Sequence, residues 1–128
     1  MVILLDTNSL VWLLDGGDKF GTKARATIVD ADAIYASAIN VTELTIKAML
    51  GKIIIPDELE EAIQSAGLKM QVYTSTHADT LRQFPELVRH DPFDRMLLAT
   101  AKTEGITLMT SDKVLLDLGL EYVISARF

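Results

Sequence analysis

Four acidic residues stand where local folding rules leave their carboxylates something to do. Asp6 follows directly on the apolar run Val2-Ile3-Leu4-Leu5, and Asp112 follows Ile106–Met109 after Thr110-Ser111. Both sit at the carboxyl ends of expected strands, where an open parallel sheet binds its ligands near the point at which strand order reverses. Each also precedes an expected helix, and because Asp is a favoured N-cap, capping alone explains either one about as well. In Asp91-Pro92-Phe93-Asp94, Asp91 reads as the N-cap, Pro92 as the first helical residue and Asp94 as the third. From there the Asp94 carboxylate can project past the helix start toward a strand-end crevice, and the helix N-terminus favours its ionised form. Glu43 lies inside the apolar stretch Ile39–Ile46. Lys47, one turn on, offers it an ordinary surface ion pair of about 0.3–0.5 kcal/mol. These two are the only charges on that helix, which implies a partly covered position.

Carboxylates gathered in one place repel, and some of them take up protons. A divalent cation removes that penalty. Mg²⁺ and Mn²⁺ prefer oxygen ligands, and with no Cys and 2 His the chain has little else to offer a metal. The expected chemistry is that of a metal held by Asp6, Glu43, Asp94 and Asp112.

The elements that must position these residues alternate between strand and helix. Val2–Leu5 is wholly apolar, as in a strand covered on both faces. It is followed by a helix through Leu10, Val11, Leu13 and Leu14 that Gly16-Gly17 breaks. A second helix is predicted over Thr22–Asp30, with Ala24, Ile28 and Val29 inward, then a strand over Ala33–Ala36 and a helix over Ser37–Leu50 closed by Gly51. Ile53–Pro56 fits strand or loop, and Asp57 is the expected cap of a helix to Ala66. A strand over Met70–Tyr73, helices over Thr76–Phe84 and Phe93–Thr103, a strand over Ile106–Met109, a helix over Lys113–Leu118 and a strand over Tyr122–Ile124 complete the chain. This alternation predicts an α/β fold, a three-layer α/β/α sandwich around a short parallel sheet.

The 128 residues suit one domain, 1–128, and 49% hydrophobic residues suffice for a core without disulfides. No apolar run reaches the roughly 18 residues that span a bilayer, so a soluble, cytoplasmic protein is expected. The net charge of -6 argues against binding nucleic acid through a broad basic surface. An enzyme that meets phosphates through divalent metal is compatible with it, because metal-binding acids count as negative in the tally.

The motifs together resemble those of PIN domains. Val2-Ile3-Leu4-Leu5-Asp6-Thr7-Asn8 resembles the opening strand and first acid, Ser37–Lys47 running into Gly51-Lys52 the second acidic motif, His90–Ala101 the third and Leu108–Asp112 the fourth. Asp-Pro-Phe-Asp-Arg is the most specific block. The chain is most similar to small PIN proteins of the VapC toxin type, from VapBC toxin–antitoxin systems. That resemblance implies a Mg²⁺- or Mn²⁺-dependent endoribonuclease acting on RNA, paired with a VapB-type antitoxin and acting as a homodimer. It implies products with 5′-phosphate and 3′-hydroxyl ends. It carries the acidic quartet onto Asp6, Glu43, Asp94 and Asp112, a supporting hydroxyl onto Thr110, and a supporting polar residue onto Asn8. Two positions depart from the pattern: relatives often carry Trp where this chain has Thr42, and His where it has Arg89, with His90 shifted by one.

Asp6, Glu43 and Asp94 are then the expected ligands of a first ion, and Asp112 holds a second or positions water. Two such ions, roughly 3.5–4 Å apart, clamp the attacking and leaving oxygens of an in-line displacement. Lys47, Arg95 and Lys113 lie within four residues of a proposed ligand and are candidate RNA contacts; ordinary surface pairing explains them equally well. His77 reads as a plain helix residue. Two other enzyme readings fare worse. An aspartyl-intermediate phosphatase needs a second Asp where this chain has Asn8, which cannot act as general acid. A receiver domain needs adjacent acids, but Thr7 follows Asp6. A catalytically idle PIN scaffold is disfavoured because all four acidic positions are filled.

Overall fold

The computed structural model describes residues 1–128. Its centre is strand β1 (Val2–Leu5), and the alternation of side chains along β1 explains why every residue in it is apolar. Ile3 and Leu5 enter one core with Leu10, Ala24, Leu44, Ile63 and Met109. Leu4 enters a second core with Ile39, Leu97, Leu98, Leu108 and Leu115 on the opposite face. Each of these buried leucines and isoleucines contributes about 1.5–3 kcal/mol.

Helix α1 (Thr7–Leu14) leaves the end of β1 with Asp6 as its N-cap, and α2 (Thr22–Asp30) leads into β2 (Ala33–Ser37). Ser37 ends β2 and caps α3 (Ala38–Met49) at once: its hydroxyl accepts from Ile39 N at 2.9 Å while Asn40 Oδ1 accepts from Ser37 N at 2.7 Å. After α4 (Leu59–Ser65), β3 (Lys69–Gln71) and α5 (Ser75–Thr80), two 3₁₀ turns (Leu81–Gln83, Pro85–Leu87) precede α6 (Pro92–Glu104). Strand β4 (Thr107–Thr110), α7 (Lys113–Leu116) and β5 (Val123–Ser125) follow. The sheet is parallel throughout, ordered β3-β2-β1-β4-β5. Helices α1, α2 and α4 cover one face and α5, α6 and α7 the other, with α3 reaching both cores through Leu44 and Ile39. The fold is the three-layer α/β/α sandwich the sequence implies. No helix is long and apolar enough to cross a membrane.

The chain builds outward from β1 to β3, then returns beside β1 with β4. Strand order therefore reverses between β1 and β4, whose carboxyl ends carry Asp6 and Thr110-Ser111-Asp112. Asp6 N donates to Met109 O at 2.9 Å and joins the two ends directly.

Some boundaries differ from expectation. Asp57 does not cap α4: the helix starts at Leu59, and neither Asp57 nor the N-cap Glu58 supplies a side-chain capping bond. Ile53–Pro56, which fits strand or loop by sequence, is a connector. The predicted Thr76–Phe84 helix stops at Thr80 and tightens into 3₁₀ turns before Pro85. Strand β4 starts one residue late because Gly105, at φ 66°, closes α6 and lets Ile106 N bond Ala101 O at 3.1 Å. Val29, expected to face inward, is exposed.

Candidate active site

Asp6 does both of the jobs its position allows. As N-cap, its Oδ1 accepts from Ser9 N at 2.8 Å. Its Oδ2 accepts from Thr110 Oγ1 at 2.7 Å and Ser111 N at 3.0 Å, both at the end of β4. Three donors satisfy a carboxylate that is only 2% exposed, which removes much of the cost of burying its charge.

Glu43 is 5% exposed, on the buried face of α3. The i,i+4 pair with Lys47 is present, with Nζ 2.7 Å from Oε2, but its acidic partner is buried and not on the surface. Oε1 accepts from Thr7 Oγ1 at 2.7 Å, and Thr7 Oγ1 in turn accepts from Asn40 Nδ2 at 3.0 Å. Asn40 thus caps α3 with its carbonyl and orients Thr7 with its amide, so the start of the helix and the placement of Glu43 are set together.

Asp91 caps α6 as expected, its Oδ1 accepting from Phe93 N at 2.8 Å. Asp94 lies one turn in and faces Asp112 across the strand ends. Burial pushes its carboxyl up to about 8, helped by its hydrogen bond with Asp112 and by the negative charges of Asp91, Asp6 and Asp112. Asp112 caps α7 through Oδ1, which accepts from Val114 N at 2.7 Å. Burial also opposes ionisation of Asp112. The hydrogen bonds from Asp94, His90 and Val114 outweigh it and hold the carboxyl below the usual range. Within the pair the proton therefore belongs to Asp94, which donates it to Asp112.

Asp6, Glu43, Asp94 and Asp112 line a single cavity of about 200 Å³ that has no hydrophobic residue in its wall. Asn8 is at its rim, donating to Ser111 Oγ at 3.3 Å, and Thr110 lies beneath it, bonded to Asp6. Of the three cations expected near RNA, Lys47 lines the cavity and the other two do not. Arg95 is turned toward Tyr73 with its Nε buried and unpartnered, and Lys113 is exposed on α7. His77 is structural. Buried at 1% exposure, it completes the capping box of α5 with Thr74 and reaches Glu104 at 3.0 Å.

The structure adds two residues to the set. His90 Nε2 lies 2.8 Å from Asp112 Oδ2 and 3.7 Å from Asp94 Oδ2, and each of the three offers a donor atom within 4.8 Å of the others. The 2.8 Å contact is a hydrogen bond, and no group of this spacing includes Asp6 or Glu43, the other two expected ligands of the first ion. Arg127, from the far end of the sequence, completes the cavity wall. The shifted His was visible in the sequence. Arg127 carried no local signal at all.

Among curated protein sequences none matches this chain. Solved structures do. The chain is similar to VapBC2 from Rickettsia felis, bound to a DNA fragment from its promoter, at 17% identity and a TM-score of 0.66, covering 98% of each chain. It is similar to DNA-bound VapBC from Salmonella typhimurium at 17% identity and a TM-score of 0.67, again over 98% of each chain. FitAB bound to an IR36 DNA fragment matches at 19% identity and a TM-score of 0.68, over 98% of this chain and 96% of that one. The sequence model of the PIN domain matches residues 3–120, a span that includes Asp6, Glu43, Asp94 and Asp112, and this chain belongs to the PIN domain family.

Proposed function

We propose that this chain, one PIN domain over residues 1–128, is a Mg²⁺- or Mn²⁺-dependent endoribonuclease and the toxin of a toxin–antitoxin pair. The observation that carries the reading is the convergence of Asp6, Glu43, Asp94 and Asp112, each from a different element, on one cavity of about 200 Å³. PIN domains are nucleases, which supports hydrolysis of a phosphodiester. The donor set suits a hard divalent cation. Its ligands are carboxylate oxygens, and a bound cation would offset both the burial and the neighbouring negative charges that raise Asp94.

Asp6, Glu43 and Asp94 would hold one ion, with Asp112 serving a second or orienting water. When bound, the metal supplies Lewis-acid activation of the phosphodiester and of water. The chain's own contribution is preorganisation. Thr110 and Ser111 N fix Asp6, and Thr7 and Lys47 fix Glu43, so neither acid needs to move when substrate arrives. His90 holds Asp112 at the opposite wall. Lys47 and Asn8 border the path of an RNA strand. We infer further that the protein works in the cytoplasm as a homodimer restrained by a VapB-type antitoxin, as the complexes named VapBC and FitAB suggest.

The test is degradation of RNA with Mn²⁺, with EDTA, and by Asp6→Asn. Cleavage should require the ion and fall by roughly 10²–10³-fold in the variant. Cleavage that persists through both treatments contradicts the reading.

A further inference from the structure

Arg127 shares the cavity wall with the four acids, yet the mechanism above gives it no task. Several contacts fix it there. The backbone of residues 126–128 is clamped to the start of α2: Gly21 N donates to Ala126 O at 3.0 Å, and Ala24 N to Phe128 O at 3.0 Å. Gly21 permits this approach because a Cβ at that position would collide with the Arg127 carbonyl. The Arg127 side chain donates from Nε to Ser111 O at 3.4 Å, and its guanidinium carbon lies 5.4 Å from the centre of the Trp12 ring. Ser111 also donates its N–H to Asp6, so Arg127 is anchored to the same strand end as the acids.

The charges on the wall are unequal in their engagement. Lys47 is paired with Glu43 at 2.7 Å. Arg127 is exposed and forms an ion pair with none of the cavity's carboxylates. Its terminal nitrogens have no protein acceptor, and only Nε makes a hydrogen bond. A guanidinium fork held by a ring face and one carbonyl, with both ends free, matches two oxygens of a phosphate. An anion beside these carboxylates is unfavourable until a divalent ion neutralises them, so the site would accept phosphate only together with the metal.

Resting on the nuclease reading above, we propose that Arg127 binds a backbone phosphate of the RNA at the mouth of the acid cavity. Trp12, Ser111 and the close approach at Gly21 set the position of its guanidinium. It is a substrate-binding residue, distinct from the acids that hold the ion.

The experiment measures Mn²⁺-supported cleavage of a single-stranded RNA oligonucleotide over a range of KCl for wild type, Arg127→Gln, Arg127→Lys and Gly21→Ala, with Mn²⁺ affinity and melting temperature measured alongside. Arg127→Gln should raise KM roughly 10-fold or more and change kcat less. It should also lower the slope of log(kcat/KM) against log[salt] by about 0.7, the value for one phosphate contact on a single strand. Arg127→Lys should keep the wild-type slope but recover only part of the affinity, since an ammonium lacks the fork. Gly21→Ala should raise KM with the guanidinium still present. Mn²⁺ affinity should be unchanged or tighter in Arg127→Gln. A wild-type KM and salt slope in Arg127→Gln would overturn the proposal, and so would loss of its Mn²⁺ binding or fold, which would make the residue structural. Wild-type protein that cleaves no RNA would defeat the nuclease reading itself, a separate and recognisable failure.

Discussion

The two halves of the acid cavity are built on opposite principles. On the side of β1 and α3, every carboxylate oxygen is already engaged: Asp6 receives Ser9 N, Thr110 Oγ1 and Ser111 N, and Glu43 receives Thr7 Oγ1 and Lys47 Nζ. On the side of α6 and α7, Asp94 accepts no hydrogen bond from the protein outside its pair with Asp112, and His90 Nε2 stands 3.7 Å from its Oδ2. The first half is a rigid scaffold whose geometry does not depend on an ion. The second carries a carboxyl raised by burial and by its acidic neighbours, so a bound cation should displace its proton. Substitutions on the two sides should therefore abolish activity alike but affect the metal-free protein in opposite ways.

The largest effect separates the two halves by stability. Asp6→Asn and Asp94→Asn should each reduce RNA cleavage by roughly 10²–10³-fold. Without metal, Asp94→Asn should melt at or above the wild-type temperature, because it replaces a half-buried carboxyl that folding must keep protonated with a neutral amide. Asp6→Asn should melt lower, because it loses charge-assisted bonds to Thr110 and Ser111. Thermal melts in EDTA decide this, and equal shifts would erase the contrast. Next comes the support of the rigid half. Thr110→Val deprives Asp6 of a donor at 2.7 Å and should weaken Mn²⁺ binding by about 10–100-fold, measured by calorimetry.

The pH dependence is smaller and has a definite sign. Asp94 is held at about 8 in the folded protein against an ordinary value of 3.8, so the native state keeps a proton that the unfolded chain has lost. Metal-free stability should fall as pH rises from about 4 to 8, and Asp94→Asn should remove that slope. Asp112, held low, contributes stability that is lost only as pH falls through its depressed value, outside that window. The smallest effect should come from His90→Ala, which frees Asp112 Oδ2 while Val114 N still holds Oδ1. Cleavage should drop only several-fold, by kinetics in saturating Mn²⁺.

The sequence made the acids legible wherever one residue obeyed a local rule. Asp6 and Asp112 are caps at strand ends, Asp91-Pro92 opens α6, and the all-apolar β1 follows from its two covered faces. Proximity along the chain misled where direction mattered. Arg95 is one residue from Asp94, but about 100° around the helix from it, and it turns to Tyr73. Lys113 likewise follows Asp112 and leaves the cavity. What could not be read is long-range. Thr7 and Asn40 meet only when α1 and α3 pack together, and Arg127 reaches the cavity only through the backbone approach at Gly21. His90 is aimed by the turn after Pro85–Leu87, where its N–H bonds Leu87 O at 2.9 Å, and no periodic pattern encodes that direction.

The most direct measurement is Mn²⁺ titration of the metal-free protein by calorimetry near pH 7, in buffers of different ionisation enthalpy. If the four acids form one ion site whose weaker half holds a proton, binding should release about one proton, and the release should vanish in Asp94→Asn. Absence of Mn²⁺ binding, or binding with no proton released, would contradict it.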